Sequence, residues 1–292
     1  MDGVLVVDKP EGLTSHDVVA AARRALGESR IGHTGTLDPL ATGVLPLAVG
    51  RATRLIRFFV AADKEYDATI RFGLATDTYD ITGAPTSRSD VVPPEDAVRR
   101  AMESLTGDYL QVPPAYSAKK VAGRRAYALA RSQTPVTLAP APVRVTRATL
   151  VDVSGGRARV TLSCSAGFYV RSFAHALGEL VDTGACLEAL RRTRSGDFTL
   201  AMAVRLEELH DPARTEACLV PLAALLPHLP AVIVTDQGRA CVAHGRELAE
   251  GDYAPPSDSP PWVRLLDATG ALLGIATPGG RPGSLHPALV LM

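Results

Sequence analysis

The sequence predicts an α+β fold rather than a doubly wound parallel sheet. Segments with the two-residue period of strands and segments with helical periodicity follow one another irregularly, without the regular alternation of strand and helix that builds a parallel sheet. Hydrophobic residues make up 46% of the chain and charged residues 21%, which is ordinary for a globular protein and excludes a wholly disordered or collagen-like one. The chain has 292 residues. At roughly 150 residues per domain, two domains are expected.

The first third of the chain is predicted to form strand, helix, loop and strand in that order. The apolar run 4–7 indicates a strand. Thr14 can cap the helix that follows, and Gly27 can end it. Glycines and prolines exclude a regular helix from the beginning of segment 32–46, so its polar side chains are expected on a loop. Residues 65–72 alternate between polar and apolar side chains, as in a half-buried strand.

The middle of the chain is predicted to contain three helices and a hairpin. Prolines open a helix over 93–105 that ends before a glycine. Segments 143–153 and 158–165 flank a Ser-Gly-Gly sequence and are predicted to pair as a hairpin. Two further helices are predicted over 170–181 and 185–193.

The character of the sequence changes after residue 230. Segments 263–266 and 271–276 are predicted to form a hairpin, and 288–291 a last strand. We therefore expect a first domain over residues 1–230 and a small β-rich domain over 231–292.

Charged residues are unevenly distributed although 31 basic and 31 acidic residues leave no formal net charge. Segment 109–178 contains one acid, Asp152. It also contains ten basic residues, which are Lys119, Lys120, Arg124, Arg125, Arg131, Arg144, Arg147, Arg157, Arg159 and Arg171. Such an excess can bind a polyanion, so a nucleic-acid or phosphate-bearing partner is favoured over a merely solvated face. From residue 231 onward acids outnumber basic residues, so charge does not favour phosphate binding there.

A cytoplasmic location without a membrane segment is expected. The N-terminus has no cationic segment before a long apolar run, so no secretory signal is predicted. The most apolar stretch, 217–234, is broken by Pro221, Pro227 and Pro230, which favours core elements and a linker over a membrane span. The four cysteines form no CxxC pair, so buried free thiols in a reducing compartment are expected.

Asp38 is the first candidate for a catalytic residue. It lies in the glycine-rich loop before Pro39, which favours extended backbone and allows the carboxylate to project. From the residues alone, an aspartate before proline is more often a turn former. The sequence has no second carboxylate or metal-ligand set at motif spacing. It also lacks GxGxxG and the Walker loop, which argues against a dinucleotide or ATP enzyme.

Five blocks, in order between residue 4 and about residue 198, carry a resemblance to a known family. They are KPEGLTS at 9–15, GHTGTLDPLATGVLP at 32–46, KEY at 64–66 with TDT at 76–78, PPAYSAK at 113–119 with Gly123 and Tyr127, and CSAGFYVR at 164–171 with Leu177-Gly178 and LRRT at 190–193. Together they resemble the TruB-type tRNA pseudouridine synthases, which make pseudouridine 55 in the T arm of tRNA.

The resemblance implies a catalytic domain with a mixed, mainly antiparallel sheet flanked by helices, and a small β-rich PUA-like RNA-binding domain at the C-terminus. It implies that uracil is flipped, detached from C1′ of its ribose, turned and rejoined through carbon 5, with no cofactor and no metal. By similarity Asp38 is the nucleophile and Arg171 keeps its carboxylate charged and oriented. Tyr66 resembles the tyrosine that stacks on the flipped base and is a candidate for proton transfer. Whether Asp38 attacks C1′ or the base stays open.

The resemblance also implies residues that bind the RNA. Tyr169 and Leu190 resemble pocket residues, His33 resembles a histidine that helps to expel or replace the flipped base, and Lys9 belongs to a motif that supports the active site. A basic insertion at about 112–140 resembles the segment that clamps the RNA arm, with Lys119, Lys120, Arg124 and Arg125. The implied partner is the T stem-loop of tRNA, bound by a monomer without an obligate protein partner.

Three residues depart from the family pattern. Arg30 stands near a position where lysine is expected, Phe168 where threonine is common, and His175 where an acidic residue is usual. Hydrogen bonds around Arg171 are therefore not transferred from the family.

Three alternatives are open at this point. The first is a tRNA-binding or tRNA-folding chaperone whose catalysis is dispensable. The second is a relative that acts on other RNA with a guide or partner proteins, for which the sequence has no long basic tails. The third is an aspartyl-nucleophile hydrolase or phosphotransferase, against which the lack of a metal-binding acid cluster in the sequence argues.

Overall fold

A computed structural model describes residues 1–117, 119–121, 124–125, 138–254 and 260–292, and for 120–121 and 124–125 it describes the backbone. The helices within these ranges are α1 (Ser15–Leu26), α2 (Ile56–Val60), α3 (Glu95–Ser104), α4 (Val170–Leu180), α5 (Pro212–Cys218) and α6 (Asp236–Ala243). The strands within them are β1 (Gly3–Lys9), β2 (Ile31–His33), β3 (Thr42–Val49), β4 (Lys64–Phe72), β5 (Leu74–Thr76), β6 (Pro85–Arg88), β7 (Gly107–Gln111), β8 (Lys120–Val121), β9 (Arg124–Arg125), β10 (Ala141–Ser154), β11 (Arg157–Cys164), β12 (Ala185–Ser195), β13 (Phe198–Thr199), β14 (Ala203–Arg205), β15 (Val220–Pro221), β16 (Ala231–Ile233), β17 (Val263–Leu266), β18 (Leu272–Pro278) and β19 (Leu285–Val290).

Local sequence signals account for the first helix. The Thr14 hydroxyl accepts a hydrogen bond from the backbone N–H of Asp17, and the Asp17 carboxylate accepts one from the backbone N–H of Thr14. This capping box satisfies two amide groups that the first turn leaves without partners. Gly27 ends the helix in the left-handed conformation, at φ +60°. The helices expected over 14–27, 93–105 and 170–181 are confirmed as α1, α3 and α4.

One large mixed sheet frames the first part of the molecule. Its path runs β14, β1, β3, β12, β4, β11, β10, β7, while β2, β13 and β15 pair with β3, β12 and β1. The pairs β1–β14 and β3–β12 are parallel, and the other described pairs of this sheet are antiparallel. The expected mixed, mainly antiparallel sheet is therefore confirmed, and so is the hairpin of β10 and β11.

The helix predicted over 185–193 is wrong, because this segment is the central strand β12. It contains alanine, leucine, glutamate and arginine, which all favour helices, but β3 and β4 bind its backbone on both sides. An irregularity between Leu187 and Ala189 shifts the pairing by one residue, so that Leu187 and Leu190 are both buried in the core. The bulge thus gives a strand the three-residue spacing of a helix.

The two faces of the large sheet contact different partners. On one side, here called the helix face, Val18, Val98 and Phe173 from α1, α3 and α4 are buried in one core with Ala68 and Ile70 of β4. On the opposite side, here called the rear face, β1 and β3 share a second core with the C-terminal region. The buried residues of that core include Val4, Val6, Val44, Ala48, Leu272, Ile275, Leu289 and Leu291.

The C-terminal region is rich in strands, as expected. Strands β16, β17, β18 and β19 form a four-stranded sheet in that order, and a further apolar core lies between this sheet and α6. The hairpin expected over 263–276 is confirmed as β17 and β18. The last strand begins at Leu285, three residues before the expected position. Among the described residues, no helix is long and apolar enough to cross a membrane.

Candidate active site

Asp38 projects from a short loop between two strands of the large sheet. Strand β2 ends at His33 and β3 begins at Thr42, so the loop covers residues 34–41, less than the predicted 32–46. Here we call it the aspartate loop. Two backbone hydrogen bonds hold it, from Gly12 N to Pro39 O at 2.8 Å and from Ala41 N to Asp38 O at 3.0 Å. Leu37 is buried, whereas the Asp38 side chain is 39% exposed. A fixed loop therefore presents a carboxylate that a ligand can reach.

The structure brings Asp38 and Arg171 together, although 133 residues separate them in the sequence. Arg171 lies in the first turn of α4, and its side chain is 6% exposed. Its Nε lies 2.8 Å from Asp38 Oδ2, and its Nη2 donates to Asp38 Oδ1 at 3.2 Å. A guanidinium that faces a carboxylate with two nitrogens stabilises its charge and orients it.

Arg171 is itself held by a second carboxylate and two carbonyls. Its Nη1 donates to Thr78 O at 3.1 Å and its Nη2 to Tyr116 O at 2.9 Å. Asp80 Oδ2 lies 3.9 Å from Arg171 Nε. Asp80 is buried, and its Oδ1 accepts hydrogen bonds from Thr78 Oγ1 and from the backbone N–H and hydroxyl of Thr82. No sequence motif marked Asp80, which follows the TDT block by two positions.

The pKa of Asp38 reflects opposing effects. Burial raises the pKa, the Arg171 cation lowers it, and the charge of Asp80 raises it, with a net upward shift. Loss of hydration disfavours the charged carboxylate, whereas a close cation favours it. Arg171 therefore counteracts the desolvation that partial burial of the Asp38 carboxyl imposes.

Tyr66 and Leu190 lie on the helix face of neighbouring strands. Tyr66 is in β4, directly opposite Arg192 of β12, and packs against the main core; Leu190 lies two residues before Arg192 and is buried. Burial raises the pKa of Tyr66, and Arg192 partly counteracts this. The phenol is therefore protonated at neutral pH and can donate a hydrogen bond.

Tyr169 precedes the first turn of α4 and is held through its backbone. Gln111 at the end of β7 accepts a hydrogen bond from Tyr169 N at 2.8 Å and donates one to Tyr169 O at 3.1 Å. Gln111 is buried, so this double contact fixes where α4 begins. Since Arg171 follows two residues later, Gln111 also fixes the position of the Arg171 backbone, from which the guanidinium extends.

Arg192 is a buried cation that the sequence analysis did not single out within LRRT. Its side chain is 1% exposed, and it has no carboxylate within 4 Å among the described residues. Its Nε donates to Val44 O at 2.7 Å and its Nη2 to Gly35 O at 3.1 Å. Gly35 lies near the beginning of the aspartate loop and Val44 lies in β3, just after the loop. Arg192 therefore links the two sides of the loop that carries Asp38.

His33 and Lys9 are the remaining predicted site residues at this loop. His33 ends β2, and burial together with the nearby Arg192 charge lowers its pKa, so its imidazole is neutral at neutral pH. Lys9 is wholly buried. Its Nζ donates to Pro10 O, Leu13 O and Pro39 O at 2.9, 2.6 and 3.3 Å. Burial lowers the pKa of Lys9 to about 8. Lys9 thus supports the aspartate loop from behind.

The basic excess of segment 109–178 is largely paired in the described part of the chain. Arg157 and Arg159 of β11 pair across the rear face with Glu188 of β12 and Asp67 of β4. Arg144 and Arg147 pair in the same way with Asp108 and Glu65. The inference of a polyanion surface from sequence counts therefore does not hold for these arginines, because strand pairing brings acids from distant segments to them.

The predicted RNA clamp lies mostly outside the described part of the chain. Lys119 is exposed. Lys120, Arg124 and Arg125 lie on the paired strands β8 and β9, and their side chains lie outside the described part of the chain, as do Arg131 and Tyr127.

Two family models match most of the chain. The TruB family pseudouridylate synthase (N terminal domain) matches residues 23–170, and the tRNA pseudouridylate synthase B C-terminal domain matches residues 171–227. The chain belongs to the TruB family of pseudouridylate synthases. Members of this family are isomerases, so the chain is an enzyme, as the resemblance implied.

Curated relatives and a solved structure are similar to this chain over nearly its whole length. The tRNA pseudouridine synthase B of Solibacter usitatus (strain Ellin6076) is 44% identical over 295 residues, which cover 100% of both chains. That of Aromatoleum aromaticum is 41% identical over 98% of this chain and 92% of the relative. A chain in the crystal structure of a Cbf5-Nop10-Gar1 complex is 27% identical, with a TM-score of 0.78, and the match covers 99% of this chain and 85% of that one.

Proposed function

We propose that this chain converts uridine 55 in the T stem-loop of tRNA to pseudouridine, with Asp38 as the nucleophile. The ion pair between the reachable carboxylate of Asp38 and the buried guanidinium of Arg171 carries the proposal. The relatives named tRNA pseudouridine synthase B support tRNA as the substrate. The target position and the roles of individual residues are part of the proposal.

The substrate uridine must leave its stack before Asp38 can reach it. Extruding a base costs a few kcal/mol, and an aromatic surface that receives the base offsets part of this. We assign this stacking to Tyr66, with Tyr169 and Leu190 as further pocket residues. We propose that His33 occupies the space in the RNA stack that the flipped base leaves. A neutral imidazole can stack on bases or form hydrogen bonds there without the cost of burying a charge.

The reaction is an isomerisation, so the nucleotide gains and loses no atoms overall. The Asp38 carboxylate adds to an electrophilic carbon of the nucleotide, and the bond between N1 of uracil and C1′ breaks. The uracil turns, a bond forms between C5 and C1′, the proton of C5 leaves, N1 gains a proton, and the carboxylate is released. Arg171 keeps Asp38 ionised at the first step, while Lys9 is a positioning residue for the loop rather than a contact to RNA.

Binding of the RNA arm is assigned to the clamp of Lys119, Lys120, Arg124 and Arg125 and to the C-terminal domain. We place the boundary of that PUA-like domain at residues 230 and 231. We further propose that the chain acts as a monomer without an obligate protein partner, which light scattering of the enzyme with and without tRNA tests.

The decisive experiment measures tritium release from carbon 5 of uracil in an unmodified tRNA transcript, in EDTA and without nucleotide. Wild-type enzyme should release one tritium per tRNA, and Asp38→Asn should release none. A transcript with cytidine at position 55 is the matched control and should release none with either protein. Release from that transcript would contradict the choice of uridine 55, and EDTA-sensitive release would favour metal-dependent chemistry.

Binding separates catalysis from a chaperone role. Asp38→Asn should bind the transcript with wild-type affinity, because it keeps the shape of the side chain. Loss of binding together with activity would contradict the separate roles of Asp38 and the clamp.

A further inference from the structure

One strained turn supplies two of the groups that surround Arg171. It joins β5 to β6 and is here called the 77–83 turn. The Thr78 carbonyl accepts a hydrogen bond from Arg171 Nη1, and the Asp80 carboxylate lies 3.9 Å from Arg171 Nε. The orientation of the guanidinium toward Asp38 therefore depends on the backbone of residues 78–80.

Tyr79, between these two residues, has a left-handed backbone with φ +63°. A bulky L-residue rarely adopts this conformation, because its Cβ approaches the carbonyl oxygen that follows. Its main chain is paired, since Leu187 N donates to Tyr79 O at 3.0 Å and Ile81 N donates to Leu187 O at 2.8 Å. These bonds fix the residues after the φ rotation. The Thr78 carbonyl lies before it, and the bond from Tyr79 N to Thr76 O at 3.2 Å, in the same peptide group, breaks when that group turns.

The Tyr79 ring is stacked on His175 of α4. The ring centroids are 3.9 Å apart and the planes differ by 5°. His175 lies one helical turn after Arg171, on the same face of α4. Both residues contact the 77–83 turn, Arg171 at the Thr78 carbonyl and His175 at the Tyr79 ring. His175 is also the position where the family resemblance leads one to expect an acid, so this contact is not part of the family pattern.

We propose that the stack of His175 on Tyr79 is a positioning device for catalysis, which holds Tyr79 left-handed and so keeps the Thr78 carbonyl directed at Arg171. Without the ring contact, Tyr79 relaxes toward negative φ and rotates the peptide group that carries the Thr78 carbonyl. The guanidinium then loses an acceptor and turns away from Asp38. This inference rests on the proposed function.

The rest of the turn is fastened independently of the stack. Ala84 N donates to Asp77 Oδ1 at 2.8 Å, and Thr76 Oγ1 donates to Asp80 O at 2.7 Å. Loss of the stack is therefore expected to misdirect the Thr78 carbonyl without unfolding the turn.

The test compares single-turnover tritium release with the dissociation constant for tRNA. His175→Leu removes the stacked ring and keeps apolar volume, and His175→Phe keeps a ring. We expect His175→Leu to slow the single-turnover rate by roughly tenfold or more, with tRNA affinity unchanged, because small misplacements of catalytic groups are costly. His175→Phe should restore most of the rate. Phe58→Leu, which removes a distant ring from the Phe58–Trp262 contact, is the matched control and should keep the wild-type rate.

Two substitutions at Tyr79 distinguish an effect on the position of the Thr78 carbonyl from an effect on the stability of the protein. Glycine adopts φ +63° without strain, and alanine does not. Tyr79→Gly should therefore react faster than Tyr79→Ala, although glycine usually destabilises a protein more than alanine does.

An unchanged rate in His175→Leu, or equal rates in the two Tyr79 variants, would overturn the inference. So would a fall in thermal stability that His175→Phe rescues without a change in rate. Failure of the proposed function is distinguishable, because the wild-type enzyme itself would then release no tritium.

Discussion

Two carboxylates share the guanidinium of Arg171, but only Asp38 is reachable from solvent. Asp80 is buried and accepts three hydrogen bonds on one oxygen, so it cannot move toward a substrate. Its effect on chemistry is indirect, through the position of Arg171 and through its charge on Asp38.

Asp80→Asn should shift the pH dependence of catalysis in a defined direction. The nucleophile must be ionised, so activity rises with pH through the raised pKa of Asp38. Removing the charge of Asp80 lowers that pKa, and the acid limb of kcat/KM should move to lower pH. The plateau rate should fall, since Arg171 loses one partner. Rates of tritium release between pH 4 and 8, as a series, measure both effects, and an acid limb displaced to higher pH would contradict the assignment.

Arg192→Met should abolish most catalysis and leave RNA binding intact. The buried carbonyls of Gly35 and Val44 would lose their donor, at about 1–3 kcal/mol for each unsatisfied group. We expect a rate lower by roughly a hundredfold from misplacement of the aspartate loop. Arg191→Met is the matched control, because Arg191 is adjacent to Arg192 in the sequence but pairs with Asp8, and its side chain is 41% exposed. Similar losses in both variants would mean that Arg192 acts only through general stability.

At the scale of elements, the aspartate loop depends on a close approach between β3 and β12. Gly43 has φ +97°, and a Cβ there would lie 2.2 Å from the carbonyl oxygen of Arg192. The parallel pairing of these strands joins Thr42 to Arg191 and Gly43 to Arg192, directly after the loop ends. A side chain at 43 would therefore separate β3, which directly follows the aspartate loop, from β12 with Leu190 and Arg192.

Gly43→Ala should cost more stability than Gly107→Ala, although both glycines have nearly the same φ. Gly107 has φ +96° with nothing within 4 Å of its added Cβ, so it measures the conformational strain alone, about 1–2 kcal/mol. Urea unfolding of the two variants isolates the cost of the close approach at Gly43. Gly43→Ala should also slow tritium release, and equal unfolding free energies would show that β12 moves away without cost.

At the scale of the whole molecule, we expect the clamp, and not the arginines that are paired on the large sheet, to bind the RNA. Substituting Lys119, Lys120, Arg124 and Arg125 with alanine should weaken tRNA binding and flatten its salt dependence by up to about one slope unit per lost phosphate contact. The matched control removes four arginines that are paired in the described structure, Arg144, Arg147, Arg157 and Arg159. Filter binding across a salt series should give the control the wild-type slope. An unchanged slope in the first variant would mean that the clamp faces away from RNA.

The second apolar core joins the C-terminal sheet to the rear face of the large sheet. Leu291 is fully buried there, and Leu291→Ala should cost about 2–5 kcal/mol of unfolding free energy. Because the core is shared, urea unfolding should remain a single transition at a lower midpoint. Met292→Ala, at a side chain 45% exposed, is the control and should change little. A separate early transition in Leu291→Ala would show that the C-terminal sheet unfolds independently.

The sequence by itself determined the local structure and the family motifs. Capping by Thr14, the stop at Gly27, the period of 65–72 and the glycine turn of the β10–β11 hairpin are properties of neighbouring residues, so they could be predicted. The family motifs identified Asp38 and Arg171 as a pair, although no spacing predicted that they would meet. Motif matching did not include Asp80, and it assigned no role to Arg192 although Arg192 lies within LRRT. The roles of both residues arise from contacts with residues far away in the chain.

Only the tertiary structure decided the features that depend on strand pairing. Segment 185–193 has the composition and the leucine spacing of a helix, but a bulge between two partner strands produces the same spacing in a strand. The arginines of 144–159 are an excess in the sequence, yet acids on β4, β7 and β12 neutralise them because cross-strand neighbours are distant in sequence. The chemical nature of a side chain is known from the sequence. Its electrostatic environment depends on the groups that the fold brings within a few ångströms of it.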